Sequence, residues 1–333
     1  MILVTGGAGY VGSHCVFELL KNNYDVLIFD NLSTGHIETV ETLKNFGHVE
    51  FIKGDLTEEK SITEAFSGKN IEAVLHFAAY SQVGESVINP QKYYINNICG
   101  SLNLLKAMLQ NDVKKIVFSS TAATYGNPKY IPIDENHPQE PINTYGRTKL
   151  FIEKIMDDYD FAYGLKSVRL RYFNVAGANS DGKIGEWHDP ETHLIPNILK
   201  STFGNGKTFE MFGSDYETKD GTCVRDYINV EDLAKAHLLA LKYLENGGKT
   251  DFFNLGTKEG NTVKEVFSAC EKVVGKTISV DLKPRRDGDT AVLVADNSKA
   301  KKILGWTPEK TLSDCIETAY FWEKLFANKN PQK

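Results

Sequence analysis

Ile2-Leu3-Val4-Thr5-Gly6-Gly7-Ala8-Gly9-Tyr10-Val11-Gly12 is the stretch from which the rest of the chain is read. Its first residues have the apolar, β-branched character of a short buried strand. The strand runs straight into glycines 6, 7, 9 and 12, spaced G-x-G-x-x-G from Gly7 and G-x-x-G-x-x-G from Gly6. Glycines so placed allow a tight turn and close backbone approach to a pyrophosphate, and the helix that follows turns free N–H groups toward the anion. The next apolar run, residues 26–29, ends in Asp30, 18 residues beyond Gly12 and near the spacing of about 20 expected for a ribose-binding carboxylate. A carboxylate there repels a 2′-phosphate, so the predicted cofactor is NAD rather than NADP.

Outward from this turn, apolar strand-like runs at 2–4, 26–29, 49–52, 73–77, 116–119 and 167–170 alternate with helical patterns at 11–21, 58–66, 90–109 and 145–159. That alternation predicts an α/β fold with a Rossmann-type doubly wound parallel sheet. Beyond residue 175 a Gly/Asn/Asp-rich loop at 176–190 precedes helices near 194–203, 230–244, 263–274 and 312–327 and strands near 252–255 and 278–282. The expected division is an NAD-binding domain over 1–175 and a smaller mixed α/β substrate-binding lobe over 176–333, with some later segments returning to the first.

With 38 Lys plus Arg against 44 Asp plus Glu in 333 residues, the net charge is −6. This argues against nucleic acid as a partner. No run approaches the ~20 apolar residues of a membrane helix, and no secretory leader is evident at the start, so neither a membrane nor a secreted setting is expected. Cys15, Cys99, Cys223, Cys270 and Cys315 form no C-x-x-C pair and read as reduced thiols of a cytoplasmic protein. His188 and His193 flank Asp189 and Glu191, but without a recognised ligand spacing this reads as a polar loop and no metal is expected.

Tyr145 and Lys149 form Y-x-x-x-K on a predicted helix, where residues four apart share a face. An ammonium beside a phenol lowers the phenol pKa from about 10, making Tyr145 a proton acceptor and donor for a hydroxyl. Thr121 ends the fifth strand, at the sheet edge where ligands bind in open α/β folds. At the end of the third strand Asp55 has two readings, an adenine contact or a cap on the helix after Thr57.

Taken together, TGGAGYVG (5–12), GDL (54–56), HFAA (76–79), YYINN (93–97), SSTAATYG (119–126), YGRTK (145–149) and RYFNVAGA (171–178) resemble the extended short-chain dehydrogenase/reductases. With VGES (83–86), PETHLIP (190–196), DGTCVRDYINV (220–230) and PRRDGD (284–289), the chain is similar to the UDP-glucose 4-epimerase family within them. The resemblance implies C4 epimerisation of a UDP-sugar through a 4-keto intermediate, with resident NAD, in a homodimer paired through helices near 90–109 and 145–159. It implies catalytic roles for Tyr145, Lys149 and Thr121. It implies cofactor contacts at Gly6, Gly9, Tyr10, Val11, Gly12, Asp30, Asn31, Ser33, Thr34, Gly35, Asp55, Leu56, Phe77, Ala78, Ala79, Asn96 and Phe173, with Thr121, Tyr145 and Lys149. Substrate contacts are implied at Asn174, His193, Leu194, Phe212, Arg225, Arg286, Asp289 and Leu293, again with Thr121 and Tyr145. Arg225 and Arg286 have an alternative reading as salt-bridge partners of Asp226 or Asp287. Glu85 and Ser86 are placed near the sugar. Leu293 stands at a position that gates the sugar 2-substituent, where a bulky Tyr excludes N-acetyl sugars and a small residue admits them. A related 4,6-dehydratase would need an added acid/base pair after Thr121, where this chain has Ala122 and Ala123.

Overall fold

The computed structural model describes residues 1–203, 208–286 and 289–329. Asp287, one of the alternative partners for the arginines, lies outside them.

The first half alternates β1 (Ile2–Thr5), α1 (Tyr10–Lys21), β2 (Val26–Asp30), α2 (Ile37–Leu43), β3 (Val49–Lys53), α3 (Glu59–Phe66) and β4 (Ala73–His76). It continues through α4 (Val83–Ile88), α5 (Pro90–Tyr93), a π-helical turn (Tyr94–Cys99), α6 (Gly100–Gln110), β5 (Lys115–Thr121), α7 (Thr144–Tyr163) and β6 (Lys166–Tyr172). The second half holds β7 (Asn174–Ala176), α8 (Leu194–Lys200), β8 (Phe209–Phe212), β9 (Val224–Asn229), α9 (Val230–Glu245), β10 (Asp251–Leu255) and β11 (Gly260–Thr262). It closes with α10 (Val263–Val274), β12 (Val280–Lys283), β13 (Val292–Leu293), α11 (Ser298–Leu304) and α12 (Leu312–Lys329).

Seven parallel strands form the main sheet in the order β3-β2-β1-β4-β5-β6-β10. The chain winds outward from β1 to β3, returns to β4 beside β1, and winds the other way. This reversal opens a crevice between the carboxyl ends of β1 and β4, the binding position of doubly wound sheets. Every residue of β1, β2 and β4 is buried, as required of strands covered on both faces. One face packs on α1, α9 and α11 through Val16, Leu19, Leu241 and Leu304, the other on α3, α6 and α7 through Ile62, Leu104, Met108 and Met156. Thus α9 and β10, though late in the chain, complete the main sheet layer.

The remaining elements pack around a separate cluster that includes Ile195, Ile198, Tyr227, Phe267 and Ile316. Here β9 pairs with β7 and β13 in parallel and with β11 antiparallel, and β8 pairs with β12. One difference from the helical pattern at 90–109 bears on the site. That pattern is three pieces, α5, the π-turn and α6, because the widened turn at Tyr94–Cys99 inserts a residue into the helix. Asn97, in that turn, is buried. Its side chain accepts from the Tyr80 N–H (2.9 Å) and donates to the Tyr80 carbonyl (3.0 Å) and to Thr148 Oγ1 (3.1 Å). It ties α7, which carries Tyr145, to the connecting segment that follows β4.

Candidate active site

A cavity of about 1140 Å³ opens over the carboxyl ends of the main sheet. It exceeds the ~300–1,000 Å³ of an ordinary small-molecule pocket and can accommodate two ligands. One wall is the turn from β1 to α1. Gly6 has φ +74° and packs on the Phe77–Ala78 backbone, so an added Cβ would meet the Ala78 nitrogen at 2.6 Å. A Cβ on Gly12 would meet the Gly6 carbonyl oxygen at 2.1 Å. Gly9, the N-cap of α1, offers no side chain to the helix N–H groups, which leaves them available to an anion. Asp30 accepts from the Ala8 N–H (3.0 Å) and the Leu32 N–H (2.8 Å). Burial raises its pKa, and those two donors hold the shift back.

Asp55 does not cap the helix that follows, since α3 begins at Glu59 with Glu58 as its N-cap; it holds the turn before it and faces the cavity. Oδ1 accepts from the Thr57 N–H (2.8 Å) and hydroxyl (2.7 Å), Oδ2 accepts from the Asn31 amide (2.9 Å), and the residue lines the cavity. Burial works against its charge, but the donors from Thr57 and Asn31 outweigh it and lower the pKa. A neutral backbone cradle beside a ribose-binding carboxylate is the donor set a dinucleotide requires, so the residues present fit NAD.

On the adjoining wall, α7 begins at Asn143, whose side chain accepts from the Gly146 N–H at 2.8 Å. A Cβ on Gly146 would stand 2.4 Å from the Ala123 carbonyl oxygen, so the glycine lets the helix start abut the end of β5 and sets Tyr145 beside Thr121. Lys149 is buried, and its Nζ donates to the Ser119 carbonyl (2.7 Å) and lies 5.9 Å from the Tyr145 ring centre. The electrostatics differ from the sequence expectation. Burial pushes the Tyr145 phenol up to about 12, opposed by the Thr121 hydroxyl. Burial likewise pulls Lys149 down to about 7, opposed by the Glu153 carboxylate. Desolvation is therefore the largest influence on both groups.

The cavity brings together Gly6, Gly9, Tyr10, Val11, Gly12, Asp30, Asn31, Ser33, Thr34, Asp55, Leu56, Phe77, Ala78, Ala79, Asn96, Thr121, Tyr145, Lys149 and Phe173. It also takes in Asn174, His193, Arg286, Asp289 and Glu85. Five expected contacts lie behind its surface. Gly35 packs under the turn, where an added Cβ would meet the Ala8 Cβ at 2.8 Å. Leu194 begins α8 one residue past His193. Phe212 backs the wall, with the Arg286 guanidinium 3.9 Å over its ring. Arg225 donates to the Thr290 carbonyl (2.8 Å) and to Asp289 (3.3 Å), so its carboxylate partner is Asp289 and not Asp226. Asp226 instead accepts from the N–H groups of Thr257 and Ala295. Leu293 packs with Ala122, Tyr125, Ile133, Phe173 and Ala295. Ser86 is fully buried and outside the cavity.

Several lining residues were not expected. Glu186, His188 and Glu191 join His193 in the loop between β7 and α8. Burial disfavours charge on Glu186, but His193 and His188 outweigh it and hold the carboxyl well below its usual range; His193 is correspondingly raised. The loop is anchored by the Trp187 ring stacked on His36 (3.5 Å, 3°) and by the Trp322 indole donating to the Glu186 carbonyl (2.9 Å).

The chain matches known proteins along nearly its whole length. The family model described as GDP-mannose 4,6 dehydratase matches residues 3–319. A UDP-glucose 4-epimerase of Lactobacillus helveticus is 52% identical over 97% of this chain and 97% of its own. The chain belongs to the UDP-glucose 4-epimerase family of extended short-chain dehydrogenase/reductases. The family's solved structures share the fold. The Bifidobacterium longum UDP-glucose 4-epimerase, in complex with NAD+ and UDP, has a TM-score of 0.93 and 42% identity, covering 99% of this chain and 98% of its own. The Brucella ovis enzyme, in complex with NAD, has a TM-score of 0.91 and 44% identity, covering 96% and 97%.

Proposed function

We propose that this chain interconverts UDP-galactose and UDP-glucose at C4 of the hexose, through a 4-keto sugar, with NAD resident in the cavity. The observation that carries the reading is Tyr145 and Lys149 opening beside Thr121 into the same cavity as an uncapped glycine-rich turn. Gly6, Gly9 and Gly12 would hold the pyrophosphate of NAD, and Asp30 its adenosine ribose. When bound, NAD supplies the reversible hydride exchange that converts the C4 carbinol to a ketone and back. Tyr145 Oη takes the proton of the 4-hydroxyl as the ketone forms and returns it as the epimer forms. Thr121 offers a second hydroxyl at the same oxygen. Lys149, fixed on the Ser119 carbonyl, orients the phenol side of the site and would reach the nicotinamide ribose. Arg286, braced on Phe212, supplies a forked cation for the diphosphate, and His193 lines the same cavity. Residues 1–175 serve the cofactor and 176–333 mainly the UDP-sugar. A 4,6-dehydratase is disfavoured because Ala122 and Ala123 transfer no proton.

Two coarser properties extend the reading. Ile95, Leu102 and Phe151 are 47%, 36% and 47% exposed on the helices expected to pair, which supports a homodimer through a four-helix bundle. Among the described residues no helix is long and apolar enough to cross a membrane, and all five cysteines are unpaired, which supports a cytoplasmic setting. Leu293 packs in the cluster that contains Phe173, a lining residue, which supports a role for it in setting access for a 2-N-acetyl group.

The test is UDP-galactose mixed with the purified chain and followed by NMR of the anomeric proton. Appearance of UDP-glucose without net NADH is expected, and Tyr145→Phe should slow it by about 10²–10⁴-fold while NAD stays bound. Absence of product even with NAD added overturns the reading.

A further inference from the structure

The loop between β7 and α8 gathers around His193 three side chains, Glu186, His188 and Glu191, to which the proposed chemistry gives no role. Glu186, His188, Glu191 and His193 each present one atom, and the four atoms lie within 4.8 Å of one another. His193 Nδ1 stands 2.7 Å from Glu186 Oε1 and 3.2 Å from Glu191 Oε1. His188 Nδ1 stands 3.2 Å and 3.9 Å from the same two oxygens. Both rings therefore turn the same nitrogen inward, onto the same pair of carboxylate oxygens.

Around a tetrahedral ion with ligands at about 2.1 Å, neighbouring ligand atoms sit about 3.4 Å apart, and no pair exceeds about 4.2 Å. The four contacts bracket the first distance, and the widest pair, up to 4.8 Å apart, has about 1.4 Å to close to reach it. A second observation is independent of this spacing. Glu186 is 5% exposed, yet its Oε1 and His188 Nδ1 are buried without a hydrogen-bond partner. At those two atoms close approach without hydrogen-bond geometry leaves the lone pairs unused, and a buried polar atom in that state is costly. Lys200 donates to Glu191 Oε2 at 3.3 Å, while Glu191 Oε1 accepts from the N–H groups of Thr192 (2.8 Å) and His193 (2.9 Å) and meets the His193 ring, so these contacts fix its position in the cluster.

Charge points the same way. All four residues line the cavity. If that cavity takes a UDP-sugar, as proposed above, two carboxylates in its wall oppose a diphosphate. One divalent cation cancels both, and imidazole nitrogen with carboxylate oxygen is a donor set suited to first-row divalent ions such as zinc. We propose that Glu186, His188, Glu191 and His193 form a divalent transition-metal site in the cavity wall.

The test uses the full, NAD-loaded chain stripped with chelator and titrated with Co(II) alone. Saturation at one equivalent is expected, with visible bands of a four-coordinate ion that Zn(II) abolishes. Glu186→Gln and His188→Ala should each weaken Co(II) binding by more than the about 10–100-fold that follows loss of a supporting partner. Circular dichroism and NAD content identify a folded variant, and either variant alone decides. No saturable binding, or binding that a folded variant leaves unchanged, overturns the site and assigns the cluster's charge balance to protons on the histidines. The readout does not depend on turnover. An active epimerase that binds no Co(II) overturns this site alone, and an inactive chain that binds it overturns only the proposed reaction.

Discussion

Residues 6–12 and residues 186–193 line one cavity and shape its electrostatics by opposite means. The first stretch contains no charged side chain: its field comes from N–H groups at the uncapped start of α1, brought close by glycine contacts. The second stretch relies on ionisable side chains packed within one another's reach. A backbone cradle is set by local spacing and is insensitive to pH. A side-chain cluster is set by tertiary packing, and its charge depends on what is bound to it.

Gly12→Ala should produce the largest difference between the two walls. Its Cβ would stand 2.1 Å from a backbone oxygen, so the turn must open. Loss of resident NAD and of turnover is expected, with a stability loss of about 1–3 kcal/mol, read from the cofactor released on denaturation and from urea unfolding. Gly185→Ala is the matching change in the other wall. Its Cβ would meet the Trp322 ring at 2.3 Å and displace the loop that carries Glu186. NAD content should hold while KM for UDP-galactose rises about tenfold, the equivalent of about 1.4 kcal/mol. A parallel loss of NAD would show that the walls do not act separately.

Between the walls, Lys149→Met isolates the buried cation. With its pKa lowered from 10.5 to about 7, the folded chain binds fewer protons than the unfolded chain across that interval, so Lys149 makes stability rise with pH there. The variant should flatten that rise, read as urea midpoints at pH 7 and pH 9. His36→Ala is the mildest change. Losing the stack on Trp187 should cost about 0.5–1.5 kcal/mol, visible as a small drop in thermal midpoint with NAD still bound.

The same contrast explains what was legible in the sequence. The sheet could be read because its central strands are apolar runs covered on both faces, and the cofactor turn because glycine spacing is itself the mechanism. Tyr145, Lys149 and Thr121 followed from helical spacing and a strand end. The Asn97 bridge was hidden because nothing in residues 94–99 distinguishes a π-turn from continuous helix. Glu186 was hidden because its partners sit 2, 5 and 7 residues away in a loop with no period. The desolvation of Lys149 was hidden because burial is a property of the assembled core, and a Y-x-x-x-K spacing carries no measure of it.

The late arrival of β10 has a consequence during synthesis. Until residues 251–255 emerge, β6 is an open sheet edge, and the 78 residues from 173 to 250 must be made first. At roughly 5–20 residues per second that interval lasts on the order of 4–16 s. An exposed hydrophobic edge on a nascent chain is a template for pairing with its neighbours. The edge strand here carries Arg169 and Arg171, engaged with Asp157 and Glu153 of the preceding helix α7, so charges are already in place before the final strand is translated. Charge on such an edge is what opposes edge-to-edge pairing while the edge is open.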